Sequence, residues 1–535
     1  MDPTEEPATT VGEDTEIKFS AVDYTLFILM LVASISIGVI SAIRNRNKVS
    51  TQEYLMGGRN MPAAPVALSL LGGRISAISI LGNPTEIYFF GTQIAMILLG
   101  AIPGCFFVSI VIIPILYNLR IVSINEYIEL RFESRLLRTL ATLCTLLSSF
   151  IYMGICLYAP TLALSTVTGL ATWVSTLIMG TICTFYITIG GVKAVVYTDV
   201  LQTLLMFGGV LVVVILCCID LGGVDKVWAI ADRGGRIQFF NLDTSPFERH
   251  TLMSTVVFGY YLIVSSIGFN QTTFQRLASV RTLQTSQRLV MVFLVGLYTL
   301  WSLFYFSGLV AYATYSDCDP LTTGKIEKPD QIIPFLVTDK LSHLPGLAGI
   351  FVAAVYGGVL STLSSCGNSF ACVVWEDFLK ERPYFSRLGD VGATNVVKIL
   401  SVMAGVAAIC MGLMVEKLGS IFHVSNSILS AVGGPLNGLF FTGVCAPWVN
   451  AKGAVVGFVL SFIFSVWVVI GKFVRGGGSP PRLPLSTEGC PENLALFLNA
   501  TVTGLVNNTT RLADTMLTTT ALPDAVPANT TAVDG

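Results

Sequence analysis

Long charge-free apolar runs alternate with short polar connections along this chain, and the runs have membrane length rather than core length. Residues 24–43 form 20 consecutive positions without a charge, enough for a helix to cross a hydrocarbon layer about 30 Å thick. Further charge-free runs occupy 87–119, 139–192, 200–219, 251–275, 289–316, 341–375, 399–415, 418–451 and 453–471. The run at 139–192 is too long for one helix and divides at Thr166-Val167-Thr168-Gly169. A further span over 61–81 is interrupted by Arg74. The pattern predicts an all-α polytopic membrane protein of about 12 transmembrane helices, because backbone facing lipid must satisfy its own hydrogen bonds.

Basic residues orient the stack, since short cytoplasmic loops collect Lys and Arg. The loop after the first span carries Arg44, Arg46, Lys48 and Arg59; that after the third carries Arg120, Arg131 and Arg135, with Arg138 at its edge. Later alternate loops hold Arg276, Arg281 and Arg288, then Lys380, Arg382, Arg387 and Lys398. The connections near Glu86 and Thr166 hold no base. Both termini are therefore expected outside, with the chain in the plasma membrane. Residues 1–20 contain six acids and one base, Lys18, the opposite of a cleavable signal's basic start. They read as an extracellular N-terminal tail, followed by a first span at 21–43. The segment 472–535 is rich in Gly, Pro, Thr and Asn and reads as a disordered extracellular tail, with glycosylation acceptors at Asn499, Asn507, Asn508 and Asn529. Asn270 also fits the acceptor pattern, but at a helix end.

Composition agrees with the spans. The 535 residues are 53% hydrophobic and 12% charged, about half the charge of a soluble chain. Lys+Arg 31 against Asp+Glu 33 leaves no polycationic surface for nucleic acid. Of the 12 cysteines, ten lie in or beside spans and read as packing residues; Cys318 and Cys490 lie in outside segments, where a disulfide has the oxidising surroundings it needs. No enzyme constellation is present: His250, His343 and His423 are scattered, without zinc-ligand spacing.

Candidate chemistry is confined to two spans that look broken. In the second, Gly72-Gly73 weakens the helix by about 1 kcal/mol per glycine, and freed carbonyls within a membrane are tolerated where they line a cavity or hold an ion. A glycine-rich packing face accounts for the composition equally well. The ninth offers Gly357-Gly358-Val359-Leu360-Ser361-Thr362, where two hydroxyls and the Gly358 carbonyl put oxygens near one helical face, suited to a hard cation such as sodium. The alternative is hydroxyls bonded back to their own helix.

Several motifs resemble those of the sodium/solute symporter family: Tyr54-Leu-Met-Gly-Gly-Arg-Asn-Met61, Ile189-Gly-Gly-Val-Lys-Ala-Val-Val-Tyr-Thr-Asp199 and Gly268-Phe-Asn-Gln271. Within it, Asn125-Glu-Tyr-Ile-Glu-Leu-Arg-Phe132, Tyr158-Ala-Pro160, Trp375-Glu-Asp-Phe378 and Gly433-Gly-Pro435 resemble the sodium-coupled monocarboxylate and multivitamin transporters. The resemblance spans about residues 19–471. It implies a leucine-transporter-type core of five-plus-five inverted repeats in spans 2–11, within a transporter region over 61–471 that includes the final span. It also implies sodium-driven uptake by alternating access. By motif match, sodium would be held by the carbonyls of Gly72 and Ile75 with Gly358, Ser361 and Thr362, and Asp199 would lie on the sodium release path, unless it caps its helix or pairs with Lys193. Arg74, Ser76, Ser265 and Ser266 are candidate substrate contacts.

Two departures stand out. The resembling transporters continue to one more span, so the chain reads as a truncated or alternative product without their cytoplasmic C-terminus. They also have a neutral residue where this chain has Arg74. The expected function is sodium-coupled symport of a small organic anion, a monocarboxylate or vitamin-like acid. The alternatives are a sodium-independent or proton-coupled carrier in which Arg74 supplants sodium, and a transporter-like channel or substrate sensor. Saturable, stereoselective uptake would separate a carrier from a channel.

Overall fold

Apolar runs in this chain become helices because a helix closes its backbone hydrogen bonds within itself. The computed structural model describes residues 19–44, 50–168, 170–245, 248–417, 421–475 and 481–490. Among them, eight helices are long and apolar enough to cross a bilayer, two bent pairs bring that to ten, and two shorter apolar helices, Thr172–Phe185 and Leu429–Cys445, lie where the sequence places the remaining two of its twelve spans. The first span is Ala21–Arg44 and the third covers Thr92–Asn118. The fourth is Arg135–Thr168, so the long run at 139–192 does divide at the expected place. The eighth to twelfth are Leu283–Thr314, Leu347–Val374, Asp390–Lys417, Ile421–Cys445 and Ala451–Val474.

The fifth and sixth spans form one helical run, Thr172–Asp220, turned at Gly191, whose φ of 59° and ψ of −165° no helix contains. A side chain there would be strained and would also strike the Tyr54 ring, 2.7 Å from where a Cβ would stand. The Tyr54 hydroxyl donates to the carbonyls of Ile187 and Thr188, both at 3.2 Å. Burial pushes this phenol up to about 12, so it remains a donor. Two motifs far apart in sequence thus lock into one joint. Lys193 within it pairs with Glu53, not with Asp199.

Two spans are broken. The second consists of Ala63–Arg74 and Ala77–Phe90, bent by 57°; the seventh consists of Leu252–Gly268 and Gln271–Leu277, bent by 63°. They stand five positions apart in the order of spans, so each opens one half of a five-plus-five core, the arrangement in which broken helices flank the transport site.

The sequence reading requires two corrections here. The second span does not break at Gly72-Gly73, which remain helical; it breaks at Ile75 and Ser76, with ψ of 99° and 172°. The glycines serve close approach instead. A Cβ on Gly72 would lie 2.3 Å from Thr203 Oγ1, and one on Gly73 would lie 2.8 Å from Arg276 Nη2. The ninth span is continuous through Gly357-Gly358. It is also the most enclosed crossing, with 89% of its apolar window buried against 11% for the twelfth. It packs against the first, fourth, sixth and tenth spans.

Among the described residues, a second unit comprises 315–327 and 485–490. Cys318 and Cys490 form a disulfide in it, and Asp319 N donates to Ser486 O at 3.0 Å. Asn499, Asn507, Asn508 and Asn529 lie outside the described residues.

Candidate functional site

The break in the second span ends one helix with carbonyls that have no helical partner. Ile75 N still closes on Leu71 O at 2.8 Å, but the Gly72 carbonyl turns outward and accepts from Ser361 Oγ at 2.7 Å. The same hydroxyl lies 3.1 Å from Gly358 O. Thr362 Oγ1 is buried beside it and has no hydrogen-bond partner. Ser364 and Ser365, by contrast, bond back to Ser361 O at 3.0 and 2.5 Å. Of the five residues expected to hold sodium, Gly72, Gly358 and Ser361 are thus joined by hydrogen bonds. Thr362 brings an unused buried oxygen, and Ile75 occupies the break with 1% of its surface exposed. The set is carbonyl and hydroxyl oxygen only, which suits a hard monovalent cation.

Gly358 is what lets the ninth span reach the break. A Cβ on it would stand 3.0 Å from Ala77 N and 3.3 Å from Ser76 C.

Toward the N-terminal half of the second span lies a buried ionic cluster. Arg276 Nη2 donates to Asp199 Oδ2 at 2.7 Å and also to Ser365 Oγ. Its Nε donates to Ser69 Oγ at 2.7 Å, and Ser69 in turn donates to Asp199 Oδ2 at 2.5 Å. The side chains of Arg276 and Asp199 are 6% and 0% exposed. Four elements meet here: both broken spans, the sixth and the ninth. Arg276 is therefore not the cytoplasmic loop base that its charge suggests. It sits in the short helix Gln271–Leu277, whose first turn is capped by Asn270 Oδ1, accepting from Thr272 N at 3.0 Å and Thr273 N at 3.3 Å. Asn270 is a helix cap.

On the other side of the break opens a cavity of about 430 Å³. Arg74, Ser76 and Ser79 line it from the second span, Ser266 from the seventh, and Ile263, Phe293 and Trp301 give it apolar wall. Arg74 makes no hydrogen bond or ion pair with a described residue. Ser265 does not line the cavity; its Oγ accepts from Asn437 Nδ2 at 2.6 Å. Sequence reasoning missed the mouth of this cavity, where Glu86 accepts from Arg249 Nε at 2.6 Å and lies 2.8 Å from His250 Nε2. It also missed Asp377, whose side chain is 1% exposed and accepts from Arg138, Ser123, Asn125 and Thr142. Asp377 binds the Trp375 and Asn125 motifs into one cluster.

Two broken helices around a cavity, with carbonyl and hydroxyl oxygens gathered beside it, are the architecture of a secondary transporter. Residues 54–461 match the sodium:solute symporter family, and the chain belongs to it. It is 39% identical to sodium-coupled monocarboxylate transporter 2 of Danio rerio over 94% of this chain and 81% of that protein. It is also 39% identical to human sodium-coupled monocarboxylate transporter 1, over 88% and 77%. The sodium-dependent multivitamin transporter of Oryctolagus cuniculus is 39% identical as well, over 95% and 79%. A Na+-coupled sialic acid symporter shares the fold, with a TM-score of 0.73 at 22% identity over 87% of this chain and 99% of that one. The protein is thus a multi-pass membrane transporter with a leucine-transporter-type core, and sodium is its coupling ion. It is not an enzyme.

Proposed function

We propose that the protein carries small monocarboxylates with sodium, the carboxylate resting on Arg74. The observation that carries this reading is Arg74 itself: an arginine beside a helix break, lining a cavity, with no hydrogen-bond or ion-pair partner among the described residues. A charge at membrane depth costs at least about 2.5 kcal/mol on insertion scales, and a guanidinium offers a planar donor fork that fits a carboxylate. Ser76 and Ser266 line the same space and would bond the substrate's polar groups. Ser265, already bonded to Asn437, would act through the wall rather than on the substrate. The names of the similar carriers, monocarboxylate and multivitamin transporters, agree with an acid substrate.

Sodium would lie among the carbonyls of Gly72 and Ile75, the Gly358 carbonyl and the hydroxyls of Ser361 and Thr362. Arg74 does not compete for this place, since it lines the cavity while Gly72 and Ser361 face each other away from it. Its position thus favours a substrate counter-ion over a replacement for sodium. Asp199 would lie on the path by which sodium leaves. The carrier would sit in the plasma membrane with both termini outside, its tail from residue 472 glycosylated.

The deciding experiment is uptake of labelled lactate, pantothenate and iodide with sodium or choline outside, in wild type, Arg74→Gln and Arg74→Lys. Sodium-dependent acid uptake should be weakened by Gln and fall between the two with Lys. Acid uptake unchanged in Arg74→Gln would refute the anchor. Wild-type uptake indifferent to sodium, gaining sodium dependence in Arg74→Gln, would make Arg74 the substitute cation.

A further inference from the structure

We propose that Glu86 sets the charge class of the transported anion. By neutralising Arg249 at the cavity mouth it leaves Arg74 as the one uncompensated arginine among the described residues that line the cavity, so that monoanions are accepted and dianions refused. The inference rests on the reading of Arg74 as a carboxylate anchor.

The charged side chains lining the cavity are Arg74, Glu86 and Arg249, with His250 and Tyr152 as the other ionisable groups. Glu86 accepts from Arg249 through both oxygens, at 2.6 and 3.0 Å, and its Oε1 lies 2.8 Å from His250 Nε2. The Arg249 guanidinium also lies over the Phe90 ring, 4.1 Å from its centroid. Both carboxylate oxygens and one face of the guanidinium are therefore occupied, and the pair presents no net charge to a ligand. Arg74 has no such partner.

Glu86 lies in the helix Ala77–Phe90, which begins just past Arg74. At 1.5 Å per residue, Glu86 stands roughly 13 Å along the axis from the helix start. The two guanidinium groups thus serve opposite ends of one cavity. Were Glu86 neutral, a chain with a carboxylate at each end would meet an arginine at each end. With Glu86 ionised, the second carboxylate of such a chain meets a pair already neutralised and loses its water without recompense.

The test measures the sodium-dependent uptake of hexanoate and of adipate, which have the same carbon count and differ by one carboxylate. Surface-labelled wild type, Glu86→Gln, Arg249→Gln and the double variant are compared. Wild type should take up hexanoate and refuse adipate. Glu86→Gln should gain adipate, narrowing the preference about fivefold, the order contributed by a partly exposed ion pair. Arg249→Gln should lose hexanoate affinity by a similar factor, because bare Glu86 then opposes the substrate, and the double variant should regain it. Unchanged discrimination in Glu86→Gln would overturn the proposal. Should that variant fail to reach the surface, full hexanoate affinity in Arg249→Gln would overturn it equally. Failure of wild type to take up hexanoate or any other monocarboxylate would instead sink the reading of Arg74, a distinct result.

Discussion

The hydroxyl of Ser361 donates to the carbonyl of Gly72 across 2.7 Å, joining the ninth span to the last turn before the break in the second. A carbonyl released by a break and a hydroxyl from a continuous neighbour are the parts from which a cation shell is assembled without any acidic residue. The same bond ties this oxygen cluster to the cavity, because Ile75 and Ser76 just past it leave the helix and line that cavity. An ion that pulls these two spans together would shape the substrate site at the same stroke.

Gly358 should be the least replaceable glycine of the ninth span. A methyl group there presses on backbone atoms at the break, at 3.0 and 3.3 Å, whereas one on Gly357 meets the sixth span at an ordinary 3.4 Å or more. Gly358→Ala should cost about 1–3 kcal/mol of stability and raise the sodium concentration for half-maximal uptake. Gly357→Ala should do neither. Thermal melting of the purified protein and a sodium titration check both, and equal behaviour of the two variants would contradict the packing argument.

The Asp199–Arg276 pair should behave as a unit. Removing one partner leaves a buried charge uncompensated, at a cost of about 3–5 kcal/mol. Asp199→Asn and Arg276→Gln should each lower surface abundance and melting temperature strongly. The double variant should be better than the worse single. Strict additivity of the two losses would mean that the groups are not coupled.

The orientation of the tail is testable by mass. Replacing Asn499, Asn507, Asn508 and Asn529 together should abolish the glycosidase-sensitive shift in apparent mass, and a tag after Gly535 should be reachable on intact cells. A tag detected only after permeabilisation would place the tail inside.

The number of spans and their approximate limits were legible because absence of charge over 20 or so residues is a one-dimensional property. The joint at Gly191 and the break in the second span left weaker marks, and the break was displaced by two to three residues. Glycine lowers helix propensity wherever it stands, but Gly72 and Gly73 are held helical by what presses on them from the sixth and seventh spans. The second broken element was sought in the ninth span and lies in the seventh. No propensity separates those two, because the Gly357-Gly358 pair serves close approach rather than bending. Arg276 was illegible for a different reason. A rule that counts bases in loops has no access to Asp199, 77 residues earlier, which makes burial of that arginine tolerable. The same holds for Glu86 and Arg249, 163 residues apart. The hydroxyls of the ninth span were half legible: Ser364 and Ser365 bond back to their own helix, Ser361 bonds both back to Gly358 O and across to Gly72 O, and Thr362 Oγ1 does neither.

On the proposed function, bare oxygens of the second and ninth spans bind the sodium that drives uptake. The most direct test is the sodium activation curve of labelled monocarboxylate uptake in wild type, Ser361→Ala and Thr362→Ala, at matched surface abundance. Loss of one neutral ligand from a sparse oxygen shell removes about 1–2 kcal/mol, so half-maximal activation should move to roughly five- to thirtyfold more sodium, with substrate affinity at saturating sodium little changed. Activation curves that superimpose on wild type in both variants would mean that sodium binds elsewhere.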